Sequence, residues 1–305
     1  MKFGVREICD VVFKAKANGT IGSMAYVIGQ PVLYIESAKT STIEGAATTV
    51  YATGGKGNNR LISWEGEKTL TFTVEDALLS PIGFAILSGA GLFEATANKK
   101  VYVHKTAKAT YDGTTHKIDL KDALNTGETI SAKSPVFVMK LEKDDLAMKL
   151  GDFAVSTTSG EAGTVLTYEG SETIATCQVF VDFYVEKSAG VSQLEIDMGN
   201  FAGYWYVEGS TLFRRQIDGV DMPAEIIFPN VKIQSNFTFN MASTGDPSTF
   251  TFTMDAMPGY TRFDLTKRVL CAIQIVDEAA AAASTGKDSV DNDARDDKQY
   301  PLSST

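Results

Sequence analysis

Histidine and tryptophan occur only twice each in the 305 residues, cysteine three times and proline eight times. His104 and His116 lie twelve positions apart with no cysteine near either, so zinc chemistry and a Ser-His-Asp site have little to build on, and no metal is expected. Cys9, Cys177 and Cys271 are odd in number and far apart in sequence. They make no disulfide framework, and buried free thiols in a chain made in a reducing cytosol are the expectation. No run of about 18 apolar residues exists, so no membrane-spanning helix is expected. The opening Met1-Lys2-Phe3-Gly4-Val5-Arg6-Glu7 places charges where an export signal needs an unbroken apolar stretch, so Sec export is not expected either. Bases are in deficit too, 28 against 38 acids, for a net charge of −10. Seven of those acids and three bases fall in 277–305, giving −4 there and −6 for the rest. Such a chain repels a phosphate backbone rather than gripping it.

Apolar residues make up 44% and aromatics 10%, enough to fill a sizeable core and too much for a disordered chain. The dominant pattern has period two. Cys177, Val179, Val181, Phe183 and Val185 share one face of a run whose other face is Gln178, Phe180, Asp182, Tyr184 and Glu186. Leu70, Phe72 and Val74 alternate with threonines, as do Phe250, Phe252 and Met254; a similar alternation runs from Ile233 to Met241. Side chains that alternate so define half-buried strands, and Gly/Asn/Asp/Pro clusters punctuate them as turns. The predicted fold is mostly β: an antiparallel sandwich or barrel core with a dozen or more strands. Helix is confined to a short element near 76–88, with Glu75 and Asp76 suited to its first turn, Pro81 kinking or delaying it and Gly89 ending it. One further turn over Lys121–Asn125 and a short helix over Asp277–Ala283 are also expected. The chain divides into a first part of the core (1–95), a lysine-rich hairpin module inserted at 96–150, a second part of the core (151–276) and an acidic Ala/Ser/Asp-rich tail (277–305). Thr69–Leu78 echoes Thr249–Met257, either as equivalent strands of a duplicated sheet or as a recurrence of Thr/Phe alternation.

Motifs that carry chemistry fail one by one. Gly54-Gly55-Lys56-Gly57 lacks the Ser/Thr of a phosphate-binding loop, and Gly89-Ala90-Gly91-Leu92-Phe93-Glu94 puts Glu where a dinucleotide fingerprint needs a small residue. Both read as turns. Asp291-Asn292-Asp293 begins like a calcium loop, but Arg295 occupies a ligand position. Ser192 lacks the closing glycine of a nucleophile elbow, and Ser284-Thr285-Gly286-Lys287 has no partner motif. Glu65 and Glu67, beside Trp64, are the best candidates for a glycosidase pair, with Phe201-Ala202-Gly203-Tyr204-Trp205-Tyr206 as a sugar platform. Against this, Gly66 and Lys68 look like a tight turn that leaves both glutamates solvated, and such aromatics are more often core or interface. No catalytic residue and no cofactor is assigned. The Thr-rich and Asn/Gln-rich strand faces fit either a sheet finished by other subunits or an ordinary sandwich.

Residues 45–52, then Gly54-Gly55-Lys56-Gly57-Asn58-Asn59 through Trp64-Glu65-Gly66-Glu67-Lys68 to Leu78, resemble virion structural proteins of long-tailed bacteriophages, and among these the tail tube (major tail) proteins. The resemblance covers about residues 40–95 and carries no catalytic signature. It implies a structural virion protein made in the host cytoplasm, whose copies form rings, commonly hexameric, stacked head to tail into a tube. Sheath or other tail proteins are implied as partners, DNA as passing through without specific binding, and no membrane contact. A capsid decoration protein is the runner-up, and a carbohydrate-active or carbohydrate-binding β protein the less favoured alternative.

Overall fold

The computed structural model describes residues 2–5, 7–143, 145–238 and 249–277. The predicted helix over Asp277–Ala283, Asp291–Asp293 and Ser284–Lys287 fall almost wholly outside them. The chain forms two compact units, one from 1–92 with 194–305 and one from 93–193. It is mostly β, with antiparallel sheets and one sheet curled into a half-barrel, as the period-two pattern required.

In the first unit the chain runs through β1 (Phe3–Val5), β2 (Asp10–Ala15), β3 (Gly19–Ile21), β4 (Met24–Tyr26), β5 (Pro31–Ile35), β6 (Ala38–Gly54) and β7 (Asn59–Asp76). Helix α1 (Pro81–Ser88) follows, and β8 (Gly91–Glu94) runs across the boundary at residue 92. The second unit holds β9 (Val101–Asp112), β10 (Lys117–Asp119), a 3-10 turn at Lys121–Ala123, β11 (Phe137–Glu142), β12 (Asp145–Lys149), β13 (Phe153–Val155), β14 (Val165–Tyr168) and β15 (Cys177–Lys187). The chain then continues through β16 (Ser192–Glu195), β17 (Tyr204–Arg215), β18 (Asp221–Ile233), β19 (Phe250–Ala256) and β20 (Ala272–Ile275).

The first unit is built on a nine-stranded sheet in the order β5-β2-β17-β18-β19-β7-β6, with β1 added to β17 and β20 to β18. Its inner face is aromatic and aliphatic: Phe13, Phe72, Phe228, Phe252 and Met254 are fully buried, and the Phe72 and Phe228 rings stack at 4.7 Å. The echo between Thr69–Leu78 and Thr249–Met257 has a local meaning. The two segments are antiparallel neighbours, with Phe72 opposite Met254 and Val74 opposite Phe252, so both supply large side chains to the same patch of core.

Helix α1 starts later than Glu75. Glu75 and Asp76 remain in β7, held in the ladder by Thr251 and Phe250 of β19, and so do not form the helix's first turn. The cap is Ser80, whose Oγ accepts from the Gly83 N–H at 2.9 Å, and Pro81 sits at the first helical position, where its missing N–H costs nothing. Gly89 ends the helix at φ 72°, and a Cβ there would lie 2.4 Å from the Phe201 carbonyl carbon. The expected strand from Ile233 to Met241 stops at Ile233: residues 234–238 are not strand, and 239–241 lie outside the described residues.

The second unit is larger than the 96–150 insertion read from composition. Strand β15 pairs with β9 from Cys177–Tyr111 to Lys187–Val101, which brings 151–193 into the same sheet. The order is β12-β11-β15-β9-β10-β14-β13, around a core of Tyr111, Ile118, Leu166, Val181 and Phe183.

Beside that core Glu128 is almost fully buried and takes salt bridges from Lys105 and Lys187, the latter at 2.5 Å, plus the Asn125 N–H at 2.9 Å. These donors, Lys105 first, hold its carboxyl far below the ordinary carboxylate range, against the opposing effect of burial. A depressed folded-state pKa stabilises fully above the unfolded value and is lost as pH falls through the folded one. Glu128→Gln is therefore expected to cost about 2 kcal/mol at pH 7 and less at pH 3, in urea unfolding followed by circular dichroism. An equal cost at both pH values would show that charge plays no part.

Candidate assembly surface

Strands β6 and β7 are the longest in the first unit, at 17 and 18 residues. β19 pairs β7 only from Asp76 to Thr71. Beyond Leu70 the pair continues alone to the turn at residues 55–58, a two-stranded ribbon reaching roughly 30 Å at the usual rise per residue. The predicted turn at Glu65–Lys68 does not exist. β7 passes straight through it, and the chain reverses at Gly55-Lys56-Gly57-Asn58, where Gly55, Gly57 and Asn58 all have positive φ.

What lies at Gly66 is a bulge. Ala47 pairs with Lys68 but Thr49 with Glu65, so two residues of β7 oppose Thr48 alone. A bulge reverses the phase of one strand. In β7 the even positions 70, 72 and 74 face the core. Beyond the bulge Trp64 pairs with Val50 and Ile62 with Ala52, on the face opposite to the one that Leu70 and Phe72 share. A Cβ at Gly66 would stand 2.4 Å from the Thr48 Oγ1, so the absence of a side chain is part of this geometry. The ribbon thus carries an apolar stripe in which Val50, Ile62 and Trp64 are 61%, 57% and 52% exposed. Its other face is polar, with Thr49 opposite Glu65 and Arg60 stacked on Tyr51 at 4.0 Å. An isolated pair of strands is marginal in water, and β6 ends the sheet with no further strand paired to it among the described residues and no charge from Gly45 to Gly54.

Behind the core, the outer sheet face at β6, β7 and β19 is paved with threonine. In register across the three strands lie Thr42–Thr73–Thr253, Thr40–Glu75–Thr251 and Glu44–Thr71–Asp255. Hydroxyls of Thr249 and Thr40 donate to Glu75 and hold its carboxyl below the usual range. The Gln234 amide reaches both oxygens of Asp255 at 3.1 Å. The patch is hydroxylated and negatively charged.

The remaining sequence candidates are dispersed. Glu65 and Glu67 are exposed on the ribbon. In the aromatic run, Trp205 is buried in the core while Phe201 and Tyr204 are exposed, so no single platform forms. His116 occupies a turn at φ 58° with its Nδ1 2.9 Å from the Tyr111 hydroxyl, and His104 Nε2 lies 3.0 Å from Asp182. Ser192 stands in strand β16, not on a strand-to-helix turn. Among the described residues no three His, Cys, Asp or Glu side chains gather as metal donors. Cys9 is buried, and Cys177 and Cys271 are half-buried rather than fully enclosed. Burial pushes the Cys177 thiol up and that of Cys271 to about 11, which leaves both as neutral thiols. A cleft of about 930 Å³ in the second unit is lined by Tyr168, Glu172 and Cys177, with Lys149 already bound to Asp152 at 2.6 Å.

The ribbon and its bulge are what the motif search missed, because they are features of register. No helix among the described residues is long and apolar enough to cross a membrane. No curated protein matches the chain. A family model does, across residues 3–263, which takes in all of the second unit, the whole ribbon and the first unit through β19. By that match the chain belongs to the YomU/Tube protein family, whose name points to a structural protein of the phage tail tube.

Proposed function

We propose that copies of this chain assemble into closed rings, hexameric by the resemblance, that stack into the conduit through which phage DNA passes. The observation that carries this is the β6–β7 ribbon. It is an extension with an exposed apolar stripe and a neutral edge, of little use to a solitary subunit and suited to lying along a neighbouring copy. Head-to-tail contacts of that kind use two different surfaces, close by rotation into a ring and continue along the axis by stacking. Sheath or other tail proteins would meet the outside of the tube. Electron microscopy of the purified protein tests the reading: rings or tubes are expected. Discrete trimers would favour a capsid decoration protein instead, and featureless monomers at high concentration would end the proposal.

The threonine and carboxylate patch is suited to the conduit wall. It presents DNA with the carboxylates of Glu44, Glu75 and Asp255, and the Thr40 and Thr249 hydroxyls serve Glu75. Placing lysine at Thr42 and Glu44, both exposed, is expected to leave tubes intact but make them retain double-stranded DNA, with affinity falling as salt rises. Gel retardation at about 50 mM and 200 mM salt reads this out. Tubes whose DNA retention is unchanged by the two lysines would place the patch elsewhere.

A further inference from the structure

The outer face of the second unit's sheet carries a pattern unrelated to assembly of the first. Strand β15 lies between β11 and β9 and turns Val179, Val181 and Phe183 inward. Outward it alternates polar and aromatic residues from Gln178 to Glu186, and its neighbours continue the alternation across the sheet. Phe137 of β11 stands opposite Asp182, and Lys108 of β9 opposite Phe180. Further along, His104 stands opposite Tyr184 and Tyr102 opposite Glu186. Each aromatic therefore has a hydrogen-bonding group beside it at cross-strand distance. Tyr102 and Phe137 are exposed, and Phe180 and Tyr184 half-buried.

The polar members are held in place. His104 Nε2 lies 3.0 Å from Asp182 Oδ1 with its ring 5.3 Å from that of Tyr184, Gln178 donates to Thr110 at 2.8 Å, and Lys100 bridges to Glu186. The Asp182 and Glu186 side chains are 35% and 17% exposed, so each carboxylate keeps some contact with solvent beside the bond given. Charges on the face cancel, Lys100 and Lys108 against Asp182 and Glu186. A polyanion such as nucleic acid finds no net attraction there. A protein partner would want a continuous dry centre, which a polar group beside every aromatic interrupts.

We infer that this face binds an extended β-1,4-linked pyranose oligosaccharide lying along β15. Such a chain is a ribbon whose rings present apolar C–H faces framed by equatorial hydroxyls or acetamido groups. The C–H faces suit Phe180 and Tyr184, which stand on one side of the strand roughly 13 Å apart. The hydroxyl and N–H donors suit the part-exposed carboxylates of Asp182 and Glu186, and the Gln178 amide can serve either donors or acceptors.

Biolayer interferometry of the full chain against immobilised chitohexaose and cellohexaose tests this, with the coiled α-linked maltohexaose as control. Binding to at least one β-linked probe is expected, with maltohexaose about tenfold weaker or silent. Tyr184→Ala and Phe180→Ala should each weaken it about tenfold, whereas Tyr184→Phe, which keeps the ring, should stay within about threefold. Trp64→Ala on the ribbon should weaken assembly yet leave the monomer's affinity for the β-linked probe within about threefold, so failure of the assembly reading and failure of this one are separable. Circular dichroism of each variant guards against loss of fold, and the rescue by Tyr184→Phe stands even where an alanine variant unfolds. No binding of either β-linked probe at millimolar concentration, binding indifferent to Tyr184 and Phe180, or a change in sedimentation of the protein by these substitutions would each overturn it.

Discussion

Ile62→Lys with Trp64→Lys is expected to leave a folded monomer that forms neither rings nor tubes. Both side chains are more than half exposed, and their strand is held by backbone pairing to β6, so the free subunit loses little. In an assembly the same two positions would be covered. Burying a Trp and an Ile is worth about 2–3 kcal/mol each by area, and a lysine ammonium trapped in their place adds a desolvation cost. The change at a single contact is thus at least about 5 kcal/mol, more than a thousandfold in association. In a ring each subunit both gives and receives the contact, so no subunit escapes the loss. Sedimentation velocity and electron microscopy provide the measurement, with circular dichroism to verify the monomer. Tubes indistinguishable from wild type would mean that the stripe is not an interface.

The strands were legible where period two is unbroken. Val179, Val181, Phe183 and Val185 gave β15 its inner face, and Phe72 with Val74 that of β7, because burial on one side imposes alternation on the sequence itself. The short helix was legible at Pro81 and Gly89, each of which satisfies a requirement of a helix end, but its cap is Ser80, and Glu75 and Asp76 belong to the strand before it. The ribbon was not. Glu65-Gly66-Glu67-Lys68 has the composition of a turn, yet Gly66 serves a bulge in a continuous strand, and a bulge is defined by what lies opposite, here Thr48. The apolar stripe depends on that phase reversal, which is invisible without the register of β6. The aromatic and polar face of the second unit was half visible. The alternation along Gln178–Glu186 could be read, but the partners Phe137, Lys108, His104 and Tyr102 come from strands dozens of residues away. The extent of the second unit was misjudged for the same cause: β15 joins β9 through pairing that composition does not encode.

Phe72→Ala should show the opposite dissociation from the ribbon lysines. Phe72 is fully buried, stacks on Phe228 at 4.7 Å and sits in the ladder between Ile43 of β6 and Met254 of β19. Removing the ring deletes its transfer energy and leaves a cavity between strands that cannot close without breaking their pairing, a loss of about 3–5 kcal/mol. That is a large fraction of a typical domain's total stability, and in a chain of this size it lowers the thermal midpoint by about 10 °C. The ribbon's apolar stripe is untouched by the change, since Trp64 and Ile62 lie beyond the bulge on the other face. Well below the lowered midpoint, Phe72→Ala subunits should therefore still build tubes, and assembly should fail only as the subunit itself unfolds. The lysine pair should retain the wild-type midpoint and never assemble. If instead Phe72→Ala abolished tubes at a temperature where circular dichroism shows it folded, the core and the ribbon would be energetically coupled. The stripe could then no longer be treated as a separable contact surface.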